Sequence, residues 1–367
     1  MIDPEIIDVF LAGRRVGRMT LTRDGLCAFE YAAEFLADGF SISPFVLPLE
    51  KKVFVADRDP FCGNFGVFDD SLPDGWGRLL QMRFLRERGV DASRLSPLRR
   101  LALVGPRGRG ALEYVPDAGE SAESEFRDFA KIARDCEKIL EEKEVAAEDL
   151  EALYRGGGSS GGARPKIFAK LDGREWLVKF RASADPQDVG ALEYACSRLA
   201  RECGVEMPET RLLCGKFFAA ARFDRDADGG KTHTVSASGL AHAYYRIPSL
   251  DYADLMLITR TLTRDERQVA QMFRRMVFNV LIGNRDDHSK NFAFQCRAGT
   301  WTLAPAYDLL PSEGFNGLHT TAVNGKGAPS LEDVAELARR FGVPAWRGVV
   351  EEIAERVRAA GLPLQEI

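Results

Sequence analysis

The chain has no run of about 18 apolar residues, no C-x-x-C pair, no H-E-x-x-H and no excess of basic charge, and each absence closes a class of function. Without the apolar run, no membrane-spanning helix and no membrane partner are expected. The seven cysteines (Cys27, Cys62, Cys136, Cys196, Cys203, Cys214, Cys296) are scattered and odd in number. That pattern fits reduced thiols in a cytosol, not a disulfide framework or a zinc site. The four histidines, His233, His242, His288 and His319, have no metal-ligand spacing. The opening Met1-Ile2-Asp3-Pro4-Glu5 lacks the basic start and apolar stretch of a signal peptide, so a cytoplasmic location is expected. With 50 basic against 55 acidic side chains the net charge is −5, which excludes a globally basic, nucleic-acid-coating protein. What is present is ordinary globular composition over 367 residues, enough for two to three domains.

The charge is unevenly laid out. Residues 83–109 carry eight Arg against Glu87 and Asp91, whereas residues 116–153 carry 13 acidic against five basic side chains. The first stretch is a candidate surface for an anionic partner, with two solvated faces as the alternative. Hydrophobic periodicity divides the chain into a β-rich N-terminal part (residues 1–115), a middle part around a glycine-rich segment (116–225) and a helical remainder (226–367). Strands over 166–171 and 176–180 flank an Asp172-Gly173 turn, a strong hairpin signal. Helices are predicted over 76–88, 126–144, 189–203, 252–263 and 265–283, with an apolar strand over 212–222. The pattern is α+β, with two lobes in prospect.

Chemistry concentrates in Asn284-Arg285-Asp286-Asp287-His288-Ser289-Lys290-Asn291, after an apolar helix. Asp286 and Asn291 have the D-x-x-x-x-N spacing of a kinase catalytic loop, where the Asp accepts a hydroxyl proton and the Asn holds magnesium. A solvated polar loop is the alternative. Seventeen residues on, Ala304-Pro305-Ala306-Tyr307-Asp308 places an Asp past a predicted strand pair, suited to a second magnesium ligand. Lys179 lies on the face of its strand shared with Leu177, opposite Trp176, Val178 and Phe180, and an ATP phosphate would suit it as well as a route to solvent. Glu193, on the next predicted helix, is the natural carboxylate for it. The segment Arg155-Gly156-Gly157-Gly158-Ser159-Ser160-Gly161-Gly162-Ala163-Arg164-Pro165-Lys166 fails the Walker A pattern, but its backbone N–H groups can cradle phosphates, and a flexible linker is the alternative. His288 is placed to orient a carboxylate or phosphate.

Together these segments resemble the HipA family of serine/threonine kinases, the toxins of type II toxin–antitoxin modules. Asp70-Ser71-Leu72-Pro73-Asp74-Gly75-Trp76-Gly77-Arg78 is similar to the signature of the family's N-terminal domain. Gly161-Gly162-Ala163-Arg164-Pro165-Lys166, Arg222-Phe223-Asp224-Arg225, Phe278-Asn279-Val280-Leu281-Ile282-Gly283-Asn284 with Asp286-Asp287-His288, and Ala304-Pro305-Ala306-Tyr307-Asp308 are similar to its C-terminal signatures. The resemblance implies a protein-kinase-like two-lobed fold, a β-rich N-lobe and a helical C-lobe, behind an N-terminal accessory domain. It implies Asp286 as catalytic base and Asn291 and Asp308 as magnesium ligands. ATP would meet Gly161, Gly162, Ala163, Arg164, Pro165, Lys166 and Lys179, with Ala221, Arg222 and Phe223 as the adenine hinge and His288, Lys290 and Tyr307 alongside. Ser159, or Ser160 beside it, would be the autophosphorylated serine. Partners would be a small helix-turn-helix antitoxin (HipB-like), a protein substrate such as an aminoacyl-tRNA synthetase, and operator DNA through the antitoxin complex only. A kinase-like scaffold that binds antitoxin and DNA without turnover, and a metal-dependent phosphohydrolase using Asp286, Asp287, His288 and Asp308, are the other classes to separate.

Overall fold

Two-residue turns shape much of the chain locally. Ala12 and Gly13 both take positive φ and join strands Ile6–Leu11 and Arg14–Leu21, with Leu11 opposite Arg14. Asp172 and Gly173 do the same between Lys166–Leu171 and Arg174–Lys179, as do Ala298 and Gly299 between Ala293–Arg297 and Thr300–Leu303. Positive φ at both turn positions matches the right-handed twist of the strands they connect. The computed structural model describes residues 4–119, 128–157, 161–226, 228–365 and 367. Two compact units emerge, one of Met1–Ala191 with Arg211–Val235, the other of Leu192–Thr210 with Ser236–Ile367. The architecture is α+β.

The first unit holds two antiparallel sheets. Five strands run in the order Val53–Val55, Cys27–Tyr31, Arg14–Leu21, Ile6–Leu11, Leu112–Val115. Four run Lys166–Leu171, Arg174–Lys179, Phe217–Ala221, Thr210–Leu213. One face of the four-stranded sheet (Ile167, Ala169, Trp176, Val178, Ala219, Ala221) packs with three helices. These are Gly75–Glu87, through Trp76 and Leu80; Phe129–Leu140, through Ile132, Cys136 and Ile139; and Ala147–Gly157, through Leu150 and Leu153. Trp76 and Trp176 are both almost fully buried there, and truncating either would cost about 3–5 kcal/mol.

Two expectations change. The apolar stretch over 212–222 is two strands, because Cys214 and Gly215 adopt positive φ and turn the chain between them. Gly156 and Gly157 are helical, closing Ala147–Gly157, because packing in the core outweighs glycine's cost in a helix of about 1 kcal/mol each.

The second unit is mainly helical. Helix Glu266–Ile282 is its axis, packed against Tyr252–Thr263 and Trp346–Ala359. From Arg275 to Ile282 every residue is buried, so the helix is enclosed all round at the end that feeds the loop. Asp251 opens Tyr252–Thr263, and Ser330 opens Leu331–Arg340, each with a reciprocal capping box. Among the described residues, no helix is long and apolar enough to cross a membrane.

Candidate active site

The loop that carries Asp286 begins where its helix is stopped. Gly283 takes φ 66° and caps the helix, its N–H bonded to the Asn279 and Val280 carbonyls. Buried Asn284 then donates from Nδ2 to Asn279 Oδ1 and to the Asp308 carbonyl, both at 3.0 Å. One amide therefore ties the loop to the backbone of Asp308, 24 residues away. Asp308 sits at φ 55°, a left-handed conformation that Asp tolerates better than most residues. Further on, Asn291 Nδ2 donates to the Asp286 carbonyl at 2.6 Å and its N–H to the His288 carbonyl at 2.8 Å. The spacing of five residues thus closes as a physical ring.

The two neighbouring aspartates have opposite roles. Asp286 has its side chain 64% exposed, with His288 Nε2 3.9 Å from its Oδ1. Asp287 is fully buried and accepts from Tyr252 Oη (2.9 Å), His319 Nδ1 (2.9 Å) and the Thr320 and Thr321 N–H groups (2.9 and 3.2 Å). Burial, reinforced by the Asp287 charge, holds the Tyr252 hydroxyl protonated well above its ordinary value, which keeps it a donor. Asn279 Nδ2 in turn donates to Tyr252 Oη at 3.0 Å. A buried carboxylate survives only when so satisfied, and here it anchors the loop whose next-door residue faces solvent. The set that sequence reading passed over is Asp287 as an anchor, Tyr252, Asn279, Asn284 and His319. Its one visible signal was Asn279, a polar residue inside an apolar helical run.

Around the loop, Lys290 is buried with its ammonium 4.2 Å from the Tyr245 ring centre, and Tyr307 Oη donates to the Lys290 carbonyl at 2.6 Å. His288 meets Tyr245 edge-on at 5.7 Å between ring centres. Arg275, 1% exposed, donates from Nη2 to the Ala304 carbonyl at 2.9 Å, holding the segment before Asp308. Burial lowers its guanidinium to about 10, so it stays charged at neutral pH.

In the first unit, strand register puts Lys166 directly opposite Lys179. Cross-strand partners share a face, so both lysine side chains leave the sheet on the same side. Lys166 Nζ donates to the Gly161 carbonyl at 2.6 Å, and Lys179 Nζ lies 5.5 Å from the Phe218 ring centre. Trp176, Val178 and Phe180 are buried on the opposite face, as period-two alternation requires. Glu193 is buried in helix Val189–Glu202 and belongs to the second unit.

Arg164 is held by Asp185 through two nitrogens, Nε and Nη2, at 3.0–3.1 Å, and the Pro165 carbonyl accepts the Phe180 N–H. Ala221 ends its strand opposite Trp176, with Phe223 two residues beyond. Arg222 is engaged on every side: Nε and Nη2 on Asp224, Nη1 on Glu175, and its N–H on the Glu175 carbonyl. Burial alone would raise the Asp224 carboxyl, but the Arg222 and Arg225 guanidinium groups and the Gly110 N–H hold it well below the usual carboxylate range. Ser159 and Ser160 lie outside the described residues.

Most arginines of the stretch over 83–109 bond to groups within the chain, and Arg86, Arg88 and Arg94 are exposed. Arg83 donates to the Ile139 and Lys143 carbonyls, Arg88 to Phe84 and Glu151, Arg100 to the Leu95 carbonyl, Arg107 to Asp117 and Arg109 to the Asp70 carbonyl, while Arg99 is buried. Of these, Arg88 and Arg107 are bonded to a carboxylate, Glu151 and Asp117.

A magnesium ion would find hard oxygen donors at Asn291 Oδ1, since Nδ2 is committed to the Asp286 carbonyl, and at the Asp308 carboxylate. Among the described residues there is no group of three or more His, Cys, Asp and Glu side chains that could hold a metal ion. The donor set suits an ion that completes its shell with phosphate oxygens and water.

Residues 7–115 match the family described as HipA N-terminal domain, and residues 158–361 match HipA-like C-terminal domain. Putative kinase Y4dM of Sinorhizobium fredii is 27% identical over 390 residues, covering 96% of this chain and 90% of its own length. Putative kinase Y4mE of the same organism is 26% identical, covering 85% and 79%. Among solved structures, the HipA chain of Shewanella oneidensis, determined with HipB and operator DNA, superposes with a TM-score of 0.72 at 19% identity, covering 96% of this chain and 89% of that one.

Proposed function

The chain belongs to the HipA family, and we propose that it is a Mg-ATP-dependent serine/threonine protein kinase acting as the toxin of a HipA/HipB-like module. The observation that carries this reading is the pair of opposed aspartates: Asp287 buried under four donors, Asp286 projecting from the ring that Asn291 closes. A rigid loop presenting one exposed carboxylate is what a base for a substrate hydroxyl requires. Asp286 accepts the proton of the acceptor serine or threonine, and His288 helps to orient it. Asn291 and Asp308 would hold magnesium, whose charge would offset that of the transferring phosphate. Lys166 and Lys179, neighbours across one strand pair, meet the nucleotide phosphates. Residues 161–166 line the phosphate side, and Ala221, Arg222 and Phe223 border adenine through backbone atoms, with Lys290 and Tyr307 nearby.

The partners that follow are a small helix-turn-helix antitoxin, operator DNA reached through it, and a translation-related protein substrate such as an aminoacyl-tRNA synthetase. A loop serine, Ser159 or Ser160, is the autophosphorylation site. Kinase chemistry is favoured over a non-catalytic DNA-bound scaffold by the ordered loop that presents the Asp286 carboxylate. The test is incubation with γ-labelled ATP and magnesium, comparing the native chain with Asp286→Ala. Label transferred to protein by the native chain alone is the expected result. Equal labelling by both, or phosphate release with no labelled protein, would overturn it.

A further inference from the structure

The glycine segment is gripped by the N-terminal domain. Helix Gly75–Glu87 begins at Asp74, and the Asp74 carboxylate caps no N–H of its own helix. Elsewhere in the chain Asp91, Asp128, Asp251 and Asp265 stand at the same cap position, and each accepts from an N–H two or three residues on. Asp74 instead accepts from the Gly162 N–H, 88 residues away. The next residues complete the grip. The Trp76 N–H donates to the Gly162 carbonyl at 2.9 Å, and its indole Nε1 donates to the Lys166 carbonyl at 3.0 Å. Gly75 has φ 41°, and a Cβ there would collide with the Gly162 carbonyl, so the two backbones meet where no side chain fits. On its far side Gly161 packs against the Arg109 guanidinium, which donates to the Asp70 carbonyl at 3.0 Å. Both ends of residues 161–166 are thus fixed by Asp74 and Trp76, and Trp76 is itself locked in the core under Ile167 and Trp176.

We propose that Asp74 and Trp76 are positioning residues for nucleotide binding: they set the pose of residues 161–166, and through it the affinity for the phosphates of Mg-ATP. The inference rests on the kinase reading above, and it assigns the N-terminal domain a direct share in the nucleotide site. A charge-assisted hydrogen bond from a backbone N–H to a carboxylate is among the stronger single contacts a loop can have. Losing it frees Gly162 to sample other φ values, and the loop must then be ordered at the moment of binding.

The test uses the full chain in three forms besides the native one: Asp74→Ala, Asp74→Asn, which keeps an oxygen acceptor, and Trp76→Phe, which keeps the ring but removes the indole N–H. Amide hydrogen exchange over 161–166 is read without nucleotide, and binding of a fluorescent ATP analogue with magnesium is read separately. Asp74→Ala is expected to speed exchange in that segment and to weaken nucleotide binding roughly tenfold, with kcat changed by less than about twofold. Asp74→Asn should recover most of the affinity, and Trp76→Phe should fall between the two. Unchanged exchange in Asp74→Ala would overturn the grip. Faster exchange with unchanged affinity would overturn the positioning role. A native chain that binds no Mg-ATP would overturn the kinase reading itself, and the positioning role with it.

Discussion

Replacing each of two adjacent aspartates by alanine should give opposite signatures, and the size of the difference follows from their surroundings. Asp287→Ala removes the acceptor for Tyr252 Oη, His319 Nδ1 and the Thr320 and Thr321 N–H groups, all in the interior. Leaving one buried donor without a partner costs about 1–3 kcal/mol, and breaking a buried charged network costs about 3–5 kcal/mol in total once the site relaxes. Against a whole-domain stability of about 5–15 kcal/mol that is a large fraction, and it corresponds to a melting temperature lower by roughly 10 °C. Asp286→Ala, with its side chain mostly in solvent, should stay within about 0.5 kcal/mol of the native chain while losing phosphoryl transfer. Scanning calorimetry and γ-labelled ATP assays on both variants check the pair. An Asp287→Ala protein melting within 2 °C of the native chain would refute the anchoring argument, as would an Asp286→Ala protein that melts as low as Asp287→Ala.

Asn291→Ala removes the ring closure and, on the kinase reading proposed above, a magnesium oxygen, so it should lower transfer at least tenfold and raise the magnesium concentration needed for half-maximal rate; an unchanged magnesium titration would count against Asn291 as a ligand. Buried His233, with Nε2 2.8 Å from the Ile42 carbonyl, is pulled down from 6.5 to about 4 by burial. The unfolded imidazole takes up a proton near 6.5 and the folded one only near 4, so stability should fall as pH drops through that window, by up to about 1.4 kcal/mol per pH unit; urea unfolding of His233→Gln between pH 7 and 4 should show the flatter profile. Asp224 is depressed by Arg222 and Arg225, so its contribution is present above the ordinary carboxylate range and is lost only in strong acid. Asp224→Asn should therefore destabilise the chain at neutral pH and lose much of that deficit at pH 2, which acid-unfolding curves of the two proteins would show.

How much was legible in advance depended on the range of the interaction. Helix Tyr252–Thr263 coincides with its predicted range and Glu266–Ile282 lies within one residue of its own, because an apolar stripe and a glycine or acidic cap act over a few residues. The Asp172-Gly173 hairpin was likewise local. Helix Ala147–Gly157 was missed because its two terminal glycines read as loop, and only the core beneath them outweighs that preference. The strand pair around Cys214 and Gly215 was read as one, because a Cys-Gly turn is a weaker signal than Asp-Gly.

By itself the sequence determined the family resemblance, the α+β pattern, the spacing of Asp286 and Asn291 and the alternation that sets Lys179 apart from the core, all of them properties of short segments. Only the tertiary structure decided which of two identical carboxylates is buried, that Asn284 reaches Asp308, that Lys166 faces Lys179, and that Asp74 holds Gly162 instead of its own helix. The physical reason is that a carboxylate's role is set by its burial and its donors. Those donors come from residues 32 to 88 positions away, a distance at which no sequence periodicity carries information.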